Sequence, residues 1–159
     1  MVSRVGSAPG RIVEFARPCL GDAEIREVVA ALESGWLSTG PRVHEFEQAF
    51  ARFTGAPYAV AVNSCTAALH LSLLAAGIGA GDEVVTSPLT FCATANVVLH
   101  AGGAPVFADI DPVTMNVDPR AVEAAVTPRT RALLPVHFAG RPADLPTLRR
   151  LAERSGLVL

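Results

Sequence analysis

A cluster of small and hydroxyl-bearing side chains, Asn63–Ala67, separates an apolar run from a stretch with helical periodicity. Free backbone N–H groups at the start of a helix, helped by the helix dipole and by nearby hydroxyls, bind anions such as phosphate. Ser64 and Thr66 are equally favoured as plain N-cap residues, for local reasons. The segment has neither the Walker A spacing nor the GxGxxG spacing, which disfavours a nucleotide-binding loop of either kind.

A second segment of this kind, Thr86–Thr94, also follows a predicted strand and opens a predicted helix. Pro88 favours an extended turn within it. Phe91 stands at the predicted helix start, where an aromatic face can stack on a flat cofactor ring, although simple core filling also explains a Phe there. His137 lies near the end of a later strand, and open α/β sheets bind ligands at the carboxyl ends of their strands.

The remaining candidates for chemistry carry weaker signals. Asp109 and Asp111 form a carboxylate pair, but no third ligand lies nearby and Pro112 follows, so a solvated turn is favoured over a metal site. The three cysteines are widely spaced and form no CxxC pair, which argues against a disulfide framework or a zinc site. We therefore expect a reduced, cytoplasmic location.

The elements that must position these residues follow from the hydrophobic periodicity. Helical spacing of apolar residues predicts helices over 22–34 and 43–53. Short apolar runs then predict strands at 58–62, 83–87, 105–110, 132–138 and 157–159, and the stretches between them predict helices at 66–76, 91–101, 119–126 and 145–155. Apolar strands alternating with helices indicate an α/β fold of three layers, with a mostly parallel sheet covered on both faces.

The pattern divides the chain into three predicted segments. Residues 1–11 are small and polar and are expected to form a disordered leader, 12–57 an N-terminal helical segment, and 58–159 the sheet domain. The last predicted strand is only about half the usual length of roughly 5–6 residues and ends within an apolar run. We therefore expect the sheet domain to be truncated.

Charge and hydropathy exclude several classes of partner. The net charge is −2, and the 13 basic residues, all of them arginine, form no cluster of the kind that binds nucleic acid or anionic membranes. The apolar runs are much shorter than the roughly 20 residues needed to cross a bilayer. We expect a protein that binds neither nucleic acid nor membranes.

Six segments, taken in order, resemble the DegT/DnrJ/EryC1/StrS family of aminotransferases, which use pyridoxal 5'-phosphate (PLP) and act on keto groups of nucleotide-linked sugars. The resemblance covers about residues 12–159. It implies the aspartate-aminotransferase fold (PLP fold type I), whose large domain binds PLP at the interface of a homodimer. The segments are Gly35–Pro41, Asn63–Leu69, Gly77–Val85, Leu89–Asn96, Phe107–Asp111 and Pro135–Gly140.

The resemblance also implies roles for the cofactor-binding candidates. Cys65, Thr66 and Ala67 would hold the cofactor phosphate. Phe91 would stack on the pyridine ring, and His137 would lie beside that ring. Members of the family often have a small residue such as Gly at the position of Cys65, so a backbone role suits this residue better than thiol chemistry.

Ser38 and Thr39, which precede Gly40, would line the substrate side by the same resemblance. The implied substrates are a nucleotide-linked ketosugar and an amino-acid donor, glutamate or glutamine.

The sequence departs from the family pattern at its end. Family members continue into a segment whose Asp pairs with the pyridine nitrogen, and then to the lysine that carries PLP and moves the substrate proton. This sequence contains no lysine and stops short of that Asp. We therefore expect a fragment that is inactive alone and binds PLP weakly or not at all. A non-catalytic PLP-fold binding or interaction module is the alternative, and an unrelated α/β oxidoreductase lacks its Gly-rich fingerprint here.

Overall fold

A computed structural model of the protein describes residues 18–159. The leader predicted at 1–11 lies outside these residues. The chain divides between Ala61 and Val62 into two compact units. The predicted division at residue 57 stays a prediction.

Two helices make up most of the described part of the first unit. Helix α1 spans Asp22–Glu33, and the Glu24 carboxylate accepts a hydrogen bond of 2.7 Å from the Gly21 N–H just before it. Helix α2 spans Pro41–Thr54, begins with Pro41 in its first turn, and ends at Gly55 in the left-handed conformation. Both match their predicted positions because caps and breakers act locally.

The apolar faces of α1 and α2 remain exposed, and neither helix contains a buried residue. These helices therefore form through their own backbone hydrogen bonds and end signals rather than around a core of this unit. The exposed apolar side chains are Ile25, Val28, Val29, Leu32, Phe46, Phe50 and Phe53.

The strand predicted at 58–62 is wrong. Within the described chain this segment pairs with no strand, and the Tyr58 and Val60 side chains are 87% and 80% exposed. The Ala61 N–H donates instead to the Glu47 carboxylate, at 2.8 Å. β-branched and aromatic composition favours a strand only where a neighbouring backbone accepts its hydrogen bonds.

The second unit contains a parallel sheet of three strands. Strand β1 spans Glu83–Thr86, β2 spans Ala104–Phe107 and β3 spans Thr130–Leu134, in the spatial order β2-β1-β3. All residues of the central strand β1 are buried, as expected of a strand covered on both faces. The strand predicted at 157–159 is reduced to a single parallel bridge between Val158 and Ala132.

Helices cover both faces of this sheet, which confirms the predicted three-layer α/β fold. Val84 and Ala132 pack in one cluster with residues of helices α3 (Cys65–Ala75) and α4 (Ala93–His100). Val85 and Leu133, one position later in each strand, pack in a second cluster with α5 (Pro119–Ala125) and α6 (Leu145–Ser155). Successive strand residues point to opposite faces, so each face has its own core.

Within residues 18–159, no helix combines the length and the apolar character needed to cross a bilayer.

Candidate functional site

Two candidate side chains follow neighbouring strands at the same edge of the sheet. Phe91 comes five residues after the end of β1 at Thr86, and His137 comes three residues after the end of β3 at Leu134. Because β1 and β3 are adjacent and parallel, their carboxyl ends lie side by side. Ligand sites of open α/β sheets lie at this edge.

Helix α3 presents free backbone donors at its N-terminus. The Ser64 hydroxyl caps the helix by accepting from the Ala67 N–H at 3.1 Å. The N–H groups of Cys65 and Thr66 have no acceptor among residues 18–159. They lie at the positive end of the dipole of an 11-residue helix, which favours an anion.

The direction of α3 follows from its connection to β1. Only residues 76–82 separate the end of the helix from Glu83, so the helix C-terminus lies toward the amino end of the strand. The helix therefore points its N-terminus toward the carboxyl edge.

Phe91 lies outside α4, which begins at Ala93, two residues later than predicted. Its carbonyl accepts from the Thr94 N–H at 3.0 Å, and its side chain is 76% exposed. Core filling is therefore the wrong explanation for this Phe within the described chain. The exposed ring is available to stack on a flat ligand.

The His137 side chain is exposed at the end of the segment that follows β3, and its orientation is set by one hydrogen bond. The Ala143 N–H donates to His137 Nδ1 at 3.1 Å. A ring nitrogen that accepts a hydrogen bond carries no proton, so the neutral ring is protonated on Nε2. Nε2–H is thus the donor that this imidazole can offer to a ligand.

Hydroxyl groups fix the ends of the strands that carry these segments. Thr86, which is buried, donates from Oγ1 to the Leu134 carbonyl at 2.7 Å and so ties β1 to β3. A hydrogen bond of 2.7 Å joins the hydroxyls of Thr90 and Thr94, which precede and follow Phe91 in the sequence. Sequence reasoning missed these supports, because a Thr in a strand or turn carries no signal of its bonding partner.

Ser38 and Thr39 lie in the first unit, between α1 and α2. Ser38 lines a cavity of about 390 Å³ together with Trp36 and Gly40. A side chain at Gly40 would come within 3.1 Å of the Trp36 ring, so glycine permits this close approach. The substrate-side role of Ser38 and Thr39 stays a prediction.

The carboxylate pair lies at a turn. Asp111 accepts from the N–H groups of Val113 and Thr114 at 2.8 Å each, and these hydrogen bonds, that of Thr114 foremost, hold the pKa of Asp111 below its ordinary value. The predicted turn is therefore confirmed. In the part of the chain that the structure describes, no group of three or more His, Cys, Asp or Glu side chains is placed to hold a metal ion.

The sequence matches the DegT/DnrJ/EryC1/StrS aminotransferase family over residues 18–159. The chain belongs to this family. The spore coat polysaccharide biosynthesis protein SpsC of Bacillus subtilis (strain 168) is 59% identical over 143 residues, which are 90% of this chain and 37% of SpsC.

Solved structures of similar proteins confirm the fold expected from the sequence. DesV of S. venezuelae is 44% identical with a TM-score of 0.79, and the match covers 85% of this chain and 38% of DesV. The sugar aminotransferase Spr1654 of Streptococcus pneumoniae is 39% identical with a TM-score of 0.84, over 89% of this chain and 36% of Spr1654. The chain therefore has the PLP fold type I and spans less than two fifths of these relatives.

The residues at the carboxyl edge fit a flat cofactor that carries a phosphate. The free amides of Cys65 and Thr66 provide two donors suited to an anion, and the exposed Phe91 provides a stacking surface. The Ala67 amide differs, because it already donates to Ser64. A phosphate oxygen would have to compete with that hydroxyl.

Proposed function

We propose that the chain is part of an aminotransferase that uses PLP to pass an amino group from glutamate or glutamine to a nucleotide-linked ketosugar. The observation that carries this proposal is the α3 N-terminus, which offers free amides at the edge of the sheet where the exposed Phe91 ring also lies. Family membership and relatives solved in PLP and PMP forms support it.

The phosphate of the cofactor is bound by the start of α3. The N–H groups of Cys65 and Thr66 donate to phosphate oxygens, and the Thr66 hydroxyl adds a further donor. Cys65 acts through its backbone, and Ala67 contributes only when its amide leaves the Ser64 hydroxyl. The thiol of Cys65 has no part in the chemistry.

The ring of the cofactor is held by two side chains from neighbouring strands. Phe91 stacks on its face, and His137 directs its Nε2–H toward the ring or its substituents. When bound, PLP supplies an electron sink that weakens bonds at the carbon bearing the amino group. Ser38 and Thr39 line the side where the sugar binds.

The complete protein is proposed to be a cytoplasmic homodimer.

The chain alone is expected to lack transaminase activity, because its 159 residues contain no lysine. The family reaction needs a side-chain amine that both carries the cofactor and moves the substrate proton. Arginine cannot replace it, because its guanidinium stays protonated. This same observation favours the second candidate function, a non-catalytic module that binds PLP or a partner protein.

PLP binding by the chain tests the cofactor site. Replacing Phe91 by Leu should weaken binding roughly fivefold, since an aromatic stack contributes about 1 kcal/mol beyond area burial. Phe53→Leu is the matched control, because Phe53 is 88% exposed and lies in the first unit. The measurement is a titration followed by cofactor absorbance. Equal weakening by both substitutions would count against the stacking role.

The expected inactivity has its own test. Incubation with PLP, borohydride reduction and peptide mass spectrometry should place no pyridoxyl label on an internal residue. An internal label, or turnover of an amino donor by this chain alone, would contradict the expected inactivity. Binding of PLP without covalent labelling or turnover is expected from both candidate functions. Addition of the part of SpsC that this chain does not match separates them, because recovered transaminase activity would support the aminotransferase.

A further inference from the structure

The segment that carries His137 has an irregular backbone. It follows β3 as a short 3-10 turn over Phe138–Gly140, in which Ala139 and Gly140 adopt positive φ angles of 49° and 81°. A non-glycine residue rarely adopts this conformation unless its surroundings impose it. Bonds from outside the segment are therefore needed to hold it.

Asn116 supplies those bonds. Its side-chain amide nitrogen donates to the carbonyls of Arg141 and Pro142, both at 3.1 Å, and its Oδ1 accepts from the Phe138 N–H at 2.9 Å. The residue is only 4% exposed. Both amide hydrogens and the oxygen are thus used on one segment that lies more than 20 residues further along the chain.

Asn116 is itself fixed by its neighbours. Its carbonyl accepts from the Asp111 N–H at 2.9 Å, and the next residue, Val117, forms an antiparallel bridge with Ile110. Met115, just before it, has a φ of 62°. A rigid turn therefore aims the Asn116 side chain.

One peptide unit connects Asn116 to His137. The Pro142 carbonyl, which accepts from Asn116, and the Ala143 N–H, which donates to His137 Nδ1 at 3.1 Å, belong to the same planar peptide group. Because the group is rigid, holding its oxygen also sets the direction of its N–H. Ala143 is buried in the core cluster of α5 and α6, which anchors the other side of this group.

We propose that Asn116 is a positioning residue that acts through the Pro142–Ala143 peptide group to hold the His137 imidazole in its Nε2–H tautomer. The proposal rests on the proposed function, in which Nε2–H faces the cofactor. Asn116 does not touch the cofactor in this proposal. Its effect on the reaction is exerted through the orientation of the His137 ring.

NMR of the complete chain, labelled with 15N at all nitrogens, tests this proposal without any cofactor. In the unsubstituted chain, His137 should show an unprotonated Nδ1 and a protonated Nε2, and the Ala143 amide should exchange slowly with solvent. Asn116→Asp keeps the acceptor for Phe138 but removes both donors, so the two ring nitrogens should move toward averaged shifts. Exchange of the Ala143 amide should become about tenfold faster.

Asn96→Asp is the matched control, because the same change is made at an exposed residue of α4. It should leave the His137 signals unchanged. Asn116→Ser keeps one donor. Its His137 shifts and its Ala143 exchange rate should therefore fall between those of Asn116→Asp and those of the unsubstituted chain. Slow exchange of the Val84 and Val85 amides must persist in each variant, as a measure of the intact core.

Three results would overturn the proposal. One is a proton on Nδ1 of His137 in the unsubstituted chain, and another is an unchanged tautomer in both Asn116 variants. The third is loss of core protection in both variants, since Asn116 would then support the whole unit rather than position one ring. Failure of PLP to bind would leave all these readouts unaffected, so it would count against the proposed cofactor site and not against the role of Asn116.

Discussion

The two units differ sharply in how far their apolar side chains are buried. In the first, α1 and α2 have regular geometry and sound end signals but contain no buried residue. In the second, two apolar clusters lie on either side of a parallel sheet, and every buried apolar side chain of the described residues belongs to this unit. Helical structure and core formation are therefore separable in this chain.

The difference reflects the origin of the backbone hydrogen bonds. A helix satisfies its own N–H and C=O groups within one segment, so it needs only local signals. A strand depends on a partner far along the chain, and its formation is coupled to the packing of that partner. This contrast predicts that stability is concentrated in the second unit.

The largest effect is expected from Leu148→Ala. Leu148 is 1% exposed in the cluster of α5 and α6, and truncating such a residue leaves a cavity that costs about 2–5 kcal/mol. Leu32→Ala in α1 is the matched control, because Leu32 is 62% exposed and the change should stay within about 0.5 kcal/mol. Hydrogen exchange of the β1 amides measures the free energy of unfolding of the second unit. Comparable losses from both substitutions would remove the contrast.

A smaller effect is expected from adding one methyl group at Gly103. A Cβ there would lie 3.1 Å from the Ile78 side chain and 3.2 Å from the Asp82 carbonyl, and such overpacking costs about 1–3 kcal/mol. Gly79→Ala is the control, because a Cβ at Gly79 meets nothing within 4 Å. The same exchange measurement should show Gly79→Ala to be neutral or slightly stabilising. A neutral Gly103→Ala would mean that this packing can relax.

The smallest and most gradual change in stability is expected when the pH is lowered. Hydrogen bonds from Thr127 and Arg129 lower the pKa of the Glu83 carboxylate below its ordinary value of 4.5. The folded state therefore binds this proton less readily than the unfolded state does. The stabilisation is complete above pH 4.5 and is lost as the pH falls below that value.

Urea unfolding at a series of pH values measures this dependence. Glu83→Gln should flatten the acid limb of the stability curve, whereas Glu33→Gln in α1 should not change it. An acid limb that persists unchanged in Glu83→Gln would assign the loss to other carboxylates. Arg129, the partner of Glu83, is exposed, so the effect should weaken at high salt.

The fold could be predicted from the sequence wherever signals were local or repeated. Within the described residues, all six helices and the three sheet strands appeared in the periodicity, with boundaries that shifted by at most two residues at the helix ends and by up to four at the ends of the strands. The segment 58–62 failed because its composition suits a strand while the described chain offers it no partner. A suitable composition makes a strand possible, but the strand forms only where a neighbouring strand pairs with it.

The site was only partly predictable. A hydroxyl at a helix start and an aromatic residue after a strand were visible in the sequence, and the structure puts both at the carboxyl edge. The bonds of Thr86 and Asn116 were not visible, because each joins segments more than 20 residues apart. A buried Asn and an ordinary turn Asn look alike in a sequence.

The order of strands in the sheet also bears on the course of folding. Glu83 of the central strand pairs with Ala104, 21 residues away, and with Thr130, 47 residues away. Closing the longer loop costs only about 0.7 kcal/mol more in chain entropy. However, the pairing of β1 with β3 also requires α5, which lies within that loop, to fold. We expect β1 and β2 to associate first and β3 to join later. Phe91 and His137 follow β1 and β3, so the edge that they share is completed only when that late pairing occurs.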